Sequence, residues 1–525
     1  MAQERVLAVS ELFLQICGHL MSTQKGKQAL ARLARCCRRF MDPTLDVLWS
    51  RLEDMRPLLD LIPALRVVIR SNEYGEEIDN YLFLGSLDEE EWYRFDFYGK
   101  RVRSLSYHHE GRVDCRIYSQ LAEYRLTPML PNLQHLHWQH DIVVDILDAA
   151  FVAEITPFLT PSLKTVSIGT SFEEFADWAL PVDTHPLQLF LDMLPRRCPL
   201  TQTLSLSGTM PDVGLTSFGK YKHLQVLDLD GVRPEMTSID GDTLDGLADL
   251  MFLHTISGLR IVEEEVVEDA STKPGFPSLH HLSLAYADPA GTLLMLNRIS
   301  SKELYSFEVD NIAAGNPKTI LACITRLQDF CDVLQEVSIR SEFAHSVARV
   351  GLPCIEAFLK FPRLQTVVLA LGEGGEWPTF TAEYAEKMAC AWPHLRKLTL
   401  PNCNFSILSL PTFASRCPSL VSLEMDTMFI NGDINALNAA PPVGSHHRLR
   451  DLEVAFFSPN EEASDHVSVA VFLDRLFPCL HYGYALGTIM KTVKLLQESR
   501  RLATTAQKLL KGTSVASEMA SKLVE

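Results

Sequence analysis

The chain has 525 residues, of which 47% are hydrophobic, and its formal net charge is −18. This length allows a large buried core. The acidic balance argues against bulk binding to nucleic acid or to an anionic membrane, because both attract basic surfaces. The 12 cysteines form no CxxC pair, which indicates reduced, mostly buried thiols in an intracellular protein. The early charges Glu4 and Arg5 are not typical of a signal peptide, and no apolar run is long enough to predict a membrane span.

Residues 1–52 predict a small helical domain of three short helices. In the first helix Leu7, Leu12, Ile16 and Leu20 recur at helical spacing, and Ser10 is a suitable N-cap. Leu30 and Leu33 mark the second helix, and Asp42-Pro43 begins the third. Because three short helices make a thin core, we expect part of their surface to pack on something else.

This domain resembles an F-box. The likeness rests on apolar positions, a CxRxF motif and a downstream Leu-Trp pair: Leu7, Glu11, Leu12, Ile16, Leu20, Leu30, Leu33, Cys36, Arg38, Phe40, Leu48, Trp49 and Leu52. It departs from the family at Ala8 and Ser10, where a proline is often found. The resemblance implies docking on a Skp-type adaptor through Leu7, Leu12, Ile16, Leu20, Leu33 and Phe40. The competing interpretation is that these same side chains form the core of the helical domain.

Residues 53–100 carry little pattern, and we interpret them as a transition segment. The acidic run Asp88–Glu91 beside Trp92 predicts a solvated loop. From residue 101 to residue 482 the motif LxxLxL recurs, with other apolar residues replacing some leucines. The copies begin at Val102, Leu133, Leu163, Thr201, Leu224, Ile256, Leu279, Leu304, Leu334, Leu364, Leu395, Leu420 and Leu449.

The second and third apolar positions of each copy are two residues apart, so in a strand they point to the same side. Helix-like segments lie between the copies. A strand and a helix every 20 to 30 residues is typical of leucine-rich repeats. The chain therefore resembles that family, which implies an α/β solenoid, a horseshoe with a parallel sheet on its concave side and helices on its convex side. The Asn or Cys that usually follows the strand is missing except at Cys403, which predicts an irregular array.

The C-terminal segment, residues 483–525, predicts a basic helix over Tyr484–Lys511 and a frayed tail from Thr513. One interpretation is a helix that caps the open end of the repeats. The other is an amphipathic helix that binds a partner or a membrane surface.

No catalytic motif is present, so we expect no enzymatic activity, no cofactor and no metal site. His135, His137 and His140 form an HxHxxH pattern without a further ligand at a set spacing, which favours polar surface histidines. The Gly-rich loop Gly372–Thr379 lacks the spacing and the lysine of a phosphate-binding loop.

Acidic side chains recur at the outward positions of the predicted strands: Asp228, Asp230, Glu308, Asp310, Glu424, Asp426, Asp451 and Glu453. Arg340 and Lys397 are among the few cations there. Solvated strand faces would explain this pattern. The functional interpretation is a groove that attracts a basic segment of a target protein.

A helical domain followed by a long repeat array resembles the F-box and leucine-rich-repeat proteins, in a divergent form like that of many fungal members. The resemblance implies a substrate-recognition subunit of a Skp-cullin-F-box (SCF) ubiquitin ligase, in the cytoplasm or nucleus, whose partners are the adaptor, cullin and a target protein. The alternative is a repeat scaffold without a ligase role, whose N-terminal helices only cap the solenoid. Adaptor docking predicts exposed apolar side chains on these helices, and a cap predicts their burial against the repeat at Val102.

Overall fold

The computed structural model describes residues 10–71, 77–83, 89–108, 113, 116–125, 127–141, 149–171, 185–208, 215–232, 239–262, 273–313, 317–341, 351–371, 379–430, 434, 438, 447–458, 466–481 and 487–522. The chain forms two compact units. The N-terminal unit comprises Met1–Arg260, Glu264–Leu279 and Arg298–Ser300, and the C-terminal unit comprises Ile261–Glu263, His280–Asn297 and Ser301–Glu525.

The described helices and strands follow the predicted alternation. The α-helices are α1 (Ser10–Met21), α2 (Gly26–Ala34), α3 (Arg38–Leu48), α4 (Arg56–Leu59), α5 (Glu89–Gly99), α6 (Arg116–Glu123), α7 (Ala149–Ile155), α8 (His185–Arg197), α9 (Gly241–Ala248), α10 (Pro289–Arg298), α11 (Pro317–Leu327), α12 (Gly351–Phe358), α13 (Ala382–Ala391), α14 (Leu410–Arg416), α15 (His466–Leu476) and α16 (Gly487–Lys522). The strands are β1 (Arg51–Leu52), β2 (Leu65–Ser71), β3 (Glu77–Phe83), β4 (Ser104–His108), β5 (His135–Asp141), β6 (Thr165–Ser171), β7 (Thr203–Gly208), β8 (Val226–Val232), β9 (Thr255–Ile261), β10 (His281–Ala287), β11 (Ser306–Val309), β12 (Glu336–Ser341), β13 (Thr366–Leu371), β14 (Thr379–Phe380), β15 (Lys397–Ser406), β16 (Ser422–Phe429) and β17 (Asp451–Ser458). Short 3-10 helices lie at Thr156–Phe158, Leu215–Lys220, Gln328–Phe330 and Ile407–Ser409.

In the N-terminal unit the strands pair in parallel in the order β1-β4-β5-β6-β7-β8-β9. Their central apolar residues stand opposite one another from strand to strand. That series is Leu52, Leu105, Leu136, Val166, Leu204, Leu227 and Ile256, and all seven are buried. No repeat can bury this side chain alone, so stacking of successive strands creates the core.

The C-terminal unit repeats this arrangement in the order β10-β11-β12-β13-β15-β16-β17, with β14 pairing only with β15. Its buried series is Leu282, Phe307, Val337, Val367, Leu398, Leu423 and Leu452. The predicted α/β class, with one parallel strand per repeat and helices between strands, is confirmed.

The register corrects one predicted repeat. Leu227 pairs with Ile256, so the repeat begins at Leu253, three residues before the predicted start at Ile256. Gly258 then occupies the third apolar position with a φ of 78°, the left-handed region that suits glycine. The strand leaves its regular path there, and Leu259 and Ile261 turn inward instead. The predicted start at Ile256 is wrong because it takes these two buried residues as the second and third apolar positions of the repeat.

Residues 53–100 hold more structure than the sequence indicated. β2 and β3 form an antiparallel hairpin. The predicted acidic loop is wrong over Glu89–Glu91, because these residues open helix α5. Carboxylates are favoured in the first turn of a helix, where they face the positive end of its dipole.

The sheet begins before residue 101, because β1 lies inside the segment predicted to be helical and pairs with Ser104 and Leu105. At the other end, α16 runs to Lys522, past the predicted fraying at Thr513. Its first turns bury Ile489, Met490 and Val493. The contact of α16 with α15 agrees with the capping interpretation.

Candidate functional site

Helix α1 presents two apolar stripes on adjacent faces. Phe13 and Cys17 point inward and form the core of the helical domain with Leu30. Leu12 and Ile16 have the same spacing of four residues, but they are 40% and 38% exposed. The helix therefore has an apolar face that its own domain does not cover.

The predicted adaptor-contact residues fall into two groups. Leu12 and Ile16 are on the exposed stripe, while Leu20, Leu33 and Phe40 are half-buried against the core, with Phe40 stacked 4.8 Å from the ring of Phe13. Leu7 lies outside the described residues. Sequence reasoning missed two further exposed apolar side chains, Leu14 (40%) and Met41 (36%), although both lie off the core stripe. We call Leu12 and Ile16, which lie one turn apart on α1, the helical apolar patch; Leu14 is on the opposite side of α1, and Met41 is on α3.

A different side of the helical domain is fastened to the repeats. The buried guanidinium of Arg101 donates to Asp42 Oδ1 at 2.6 Å and also bonds to Asp46, both on α3. Trp49 stacks on Tyr98 with ring centroids 4.5 Å apart. Together with the β1–β4 pairing, these contacts fix α3 on the first repeat. The exposed stripe of α1 takes no part in them.

The outward face of the N-terminal unit is mostly neutral. Its strands β4 to β7 present hydroxyl and imidazole side chains: Ser104, Ser106, His135, His137, Thr165, Ser167, Thr203 and Ser205. The predicted acidic residues of this unit, Asp228 and Asp230, both lie on β8. Asp228 accepts hydrogen bonds from the Ser205 hydroxyl at 3.1 Å and from the backbone N–H of Asp230 at 3.2 Å.

The histidines on this face lie beside hydroxyl and imidazole side chains. His135 Nδ1 lies 3.0 Å from Thr165 Oγ1. Partial desolvation lowers the pKa of His137, and the neighbouring imidazoles of His135 and His108 lower it further. The side chain of His140 lies outside the described ones. Within the ranges given above, no three potential ligand side chains lie close enough to share a metal ion.

In the C-terminal unit the outward acidic residues divide into two groups. Glu308 and Asp310 share the cation Arg340 of the next strand, whose Nη1 is 3.0 Å from Asp310 Oδ1 and 3.9 Å from Glu308 Oε1. This first group is therefore largely balanced within the protein.

The second group, the carboxylate quartet, consists of Glu424 and Asp426 on β16 and Asp451 and Glu453 on β17. Glu424 stands directly opposite Glu453 across the two strands, which in a sheet are about 4.8 Å apart. Thr427 donates to Asp426 Oδ2 at 3.0 Å, but among the described residues no cation lies within ion-pair distance of the four. Lys397 is two strands away from Asp451 in the same register. The quartet is thus a half-buried, negatively charged surface.

Comparisons with known proteins identify no family. No family model matches the chain, and no curated protein matches it. Among solved structures, it is similar to an internalin (inlF) from Listeria monocytogenes, with 12% identity, a TM-score of 0.33, and coverage of 78% of this chain and 86% of that one. A leucine-rich-repeat protein of Leptospira interrogans gives 14% identity, a TM-score of 0.35, and coverage of 68% and 79%. The leucine-rich-repeat ectodomain of a plant membrane receptor kinase from Arabidopsis thaliana gives 12% identity, a TM-score of 0.30, and coverage of 73% of this chain and 47% of that one.

None of the described helices combines the length and the apolar composition needed to cross a membrane. The protein has a leucine-rich-repeat fold: one parallel strand in each repeat, the apolar LxxLxL positions in register, and helices between the strands.

Proposed function

We propose that this protein is the substrate receptor of an SCF-type ubiquitin ligase in the cytoplasm or nucleus. Its N-terminal helices dock a Skp-type adaptor, which connects it to cullin, and its repeats hold a target protein. The chain then does no chemistry itself, but raises the effective concentration of the target near the ubiquitin-charged enzyme. The observation that carries this proposal is the helical apolar patch, together with the resemblance of residues 1–52 to an F-box.

The exposed stripe of α1 is what a docking surface needs. Leu12 and Ile16 leave apolar area in water, and covering such area is favourable by roughly 25 cal/mol per Å². Two exposed apolar side chains side by side on one helix are a surface that a protein partner can cover. In this proposal Leu20, Leu33 and Phe40 pack against the core and hold α1 in place, and only part of each side chain can contact the adaptor.

Point substitutions test adaptor docking better than removal of residues 1–52, because that removal also takes away β1 and the partners of Arg101. The experiment is co-purification of the full chain with a Skp-type adaptor, for the unmodified protein and for L12E/I16E. Both positions are exposed, so the variant is expected to fold and to lose the complex. Leu502→Glu, at an apolar side chain 66% exposed on α16, is the matched control and should keep it.

Two results would contradict the proposal in different ways. If the unmodified chain forms no complex, the receptor function is wrong. If L12E/I16E binds as tightly as the unmodified chain, the adaptor does not dock on α1, and the assignment of these residues is wrong.

For the target we propose a basic segment that binds the carboxylate quartet. Four carboxylates without an internal cation attract cationic side chains, and such charge mainly raises the association rate and the selectivity. A fluorescent octalysine peptide is a suitable probe. We expect E424K/E453K to weaken its binding at low salt by at least ten-fold, and E383K/E386K, which makes the same change in charge at two exposed helical carboxylates, to leave it nearly unchanged. Equal losses in both variants would mean that only the net charge matters.

A second candidate, a repeat scaffold whose helices cap the sheet, has its own supporting observation. Helix α3 is tied to Arg101, and Trp49 to Tyr98, as a cap requires. The two candidates use different faces of the helical domain, so capping by α3 does not compete with docking on α1. The scaffold function is favoured if L12E/I16E and the unmodified chain both fail to bind the adaptor while target binding persists.

A further inference from the structure

A cavity of about 570 Å³ lies between helices α6, α7 and α8 of the N-terminal unit. Its wall includes the buried residues Met129, Pro157 and Leu159, and also Leu189, which is 50% exposed. Small-molecule sites typically have volumes of roughly 300–1,000 Å³ and mostly apolar walls with a few polar groups. This cavity has that size and character, and it lies among the helices, away from the outward face of the strands.

The charged groups of the wall are all cationic. Arg125 and Arg197 line the cavity, while none of the described residues that line it is an aspartate or a glutamate. In a protein with a net charge of −18 this local composition is unusual. It favours an anionic ligand.

The hydroxyl groups of the wall already have hydrogen-bond partners. Ser119 donates to the Arg116 carbonyl at 2.9 Å, and Thr156 donates to the Val152 carbonyl. Thr127 Oγ1 accepts from Arg125 Nη2 at 2.8 Å. The exposed guanidinium group of Arg197 is therefore the charged group of the wall that a ligand can reach.

Arg125 is held rigidly with one nitrogen left over. Its Nε donates to the Thr127 carbonyl at 3.1 Å, its Nη2 to Asp96 Oδ1 at 2.9 Å, and its guanidinium carbon lies 4.7 Å from the ring centroid of Trp92. Nη1 is buried and has no hydrogen-bond partner among the described residues. Nη1 has almost no accessible surface, so the protein itself encloses this nitrogen, and Arg125 contributes its positive charge from within the wall. Arg197, which is exposed, has no carboxylate within ion-pair distance in the described part of the chain.

We infer that this cavity binds a small molecule with an apolar body and one anionic head, a carboxylate or a phosphate monoester. The apolar wall takes the body, and the head accepts hydrogen bonds from the exposed guanidinium group of Arg197, while Arg125 adds positive charge from within the wall. A guanidinium group binds both kinds of head well, because its N–H groups match the spacing of two oxygens. The site is independent of adaptor docking and of the carboxylate quartet.

The test is isothermal titration calorimetry of the full chain with decanoate, decyl phosphate and decan-1-ol, each below its micelle-forming concentration. We expect at least one of the anions to bind, and the neutral alcohol to bind at least ten-fold more weakly. Whichever anion binds more tightly identifies the head group. Arg197→Gln should weaken anion binding at least five-fold, whereas Arg196→Gln, the neighbouring exposed arginine outside the cavity, should not change it.

A third variant separates the cavity from its charge. Ala153→Trp places a large side chain at an exposed wall position and should abolish binding of every probe. The inference is overturned if no anion binds, if decan-1-ol binds as tightly as decanoate, or if the two arginine variants behave alike. Arg197→Gln removes a side chain that has no internal partner, so its result stands even if Ala153→Trp fails to fold.

Discussion

Replacement of Gly258 by alanine is the most direct test of the corrected register in the N-terminal unit. Gly258 has a φ of 78°, and a Cβ atom built on it would overlap the backbone of Leu229 and the backbone nitrogen of Asp230. A non-glycine residue in the left-handed region costs about 1–2 kcal/mol. Overpacking against atoms that cannot move costs about 1–3 kcal/mol more. We therefore expect Gly258→Ala to destabilise the pairing of β8 with β9 by about 2–5 kcal/mol.

Hydrogen exchange followed by mass spectrometry measures this locally, which suits a long repeat array that does not unfold as a single unit. Peptides that cover residues 226–261 should lose protection by a factor between about 30 and about 5,000, since each 1.36 kcal/mol corresponds to ten-fold. Gly18→Ala is the matched control. Nothing lies within 4 Å of its added Cβ, and it sits inside α1, so this change should stabilise the helix by about 0.5–1 kcal/mol.

The reasoning fails if Gly258→Ala leaves protection of β8 and β9 unchanged while Gly18→Ala behaves as expected. In that case the strand would tolerate a side chain at residue 258, and the sequence-based prediction that this repeat begins at Ile256 would be favoured. A loss of protection confined to this region would instead support the left-handed backbone conformation at Gly258 as a built-in feature of the sheet.

Three further predictions concern other parts of the chain. Native-state alkylation should be fast only at exposed thiols, and peptide mapping should find the label first at Cys36, Cys37, Cys390 and Cys479. Burial protects other thiols and raises their pKa to about 12, namely those of Cys198, Cys323, Cys354, Cys403 and Cys417. Burial lowers the pKa of His447 below 6.5, so its contribution to the free energy of unfolding is complete above pH 6.5 and should be lost as the pH falls through the lowered pKa. In denaturant titrations, the free energy of unfolding of His447→Gln should therefore depend less on pH. Arg500→Ala should leave the buried carboxylate of Asp474 without its cation and loosen the contact of α16 with α15, at a cost of about 1–3 kcal/mol. Unchanged exchange in residues 487–500 would contradict this.

The sequence predicted the repeat architecture because burial imposes a strict period on it. In every copy the second and third apolar positions face the core, so leucines two residues apart identify the strand. The prediction failed only where the backbone departs from that period. At Gly258 the backbone has a positive φ, and Leu259 and Ile261 are the buried residues that follow it; an alternating sequence pattern does not reveal such a change in backbone conformation.

The candidate docking surface was harder to predict for a related reason. Helix α1 carries two apolar stripes of the same spacing, Phe13 with Cys17 and Leu12 with Ile16. Helical periodicity alone does not say which stripe faces the core. The answer depends on where α2 and α3 pack. That packing is set by contacts between residues far apart in sequence, such as the stacking of Phe13 of α1 on Phe40 of α3.

The register of neighbouring strands decides which charged side chains face each other on the outward face, and the sequence alone does not give that register. Successive strands are in phase, so a carboxylate on one strand finds its cation about one repeat later, as Asp310 finds Arg340. Glu424 has Glu453 in that place. Glu453 lies on β17, the last strand in the described part of this sheet, so no described strand beyond it supplies a cation. In the proposed complex, a basic side chain of the target would supply the cation that none of the described strands supplies to the carboxylate quartet.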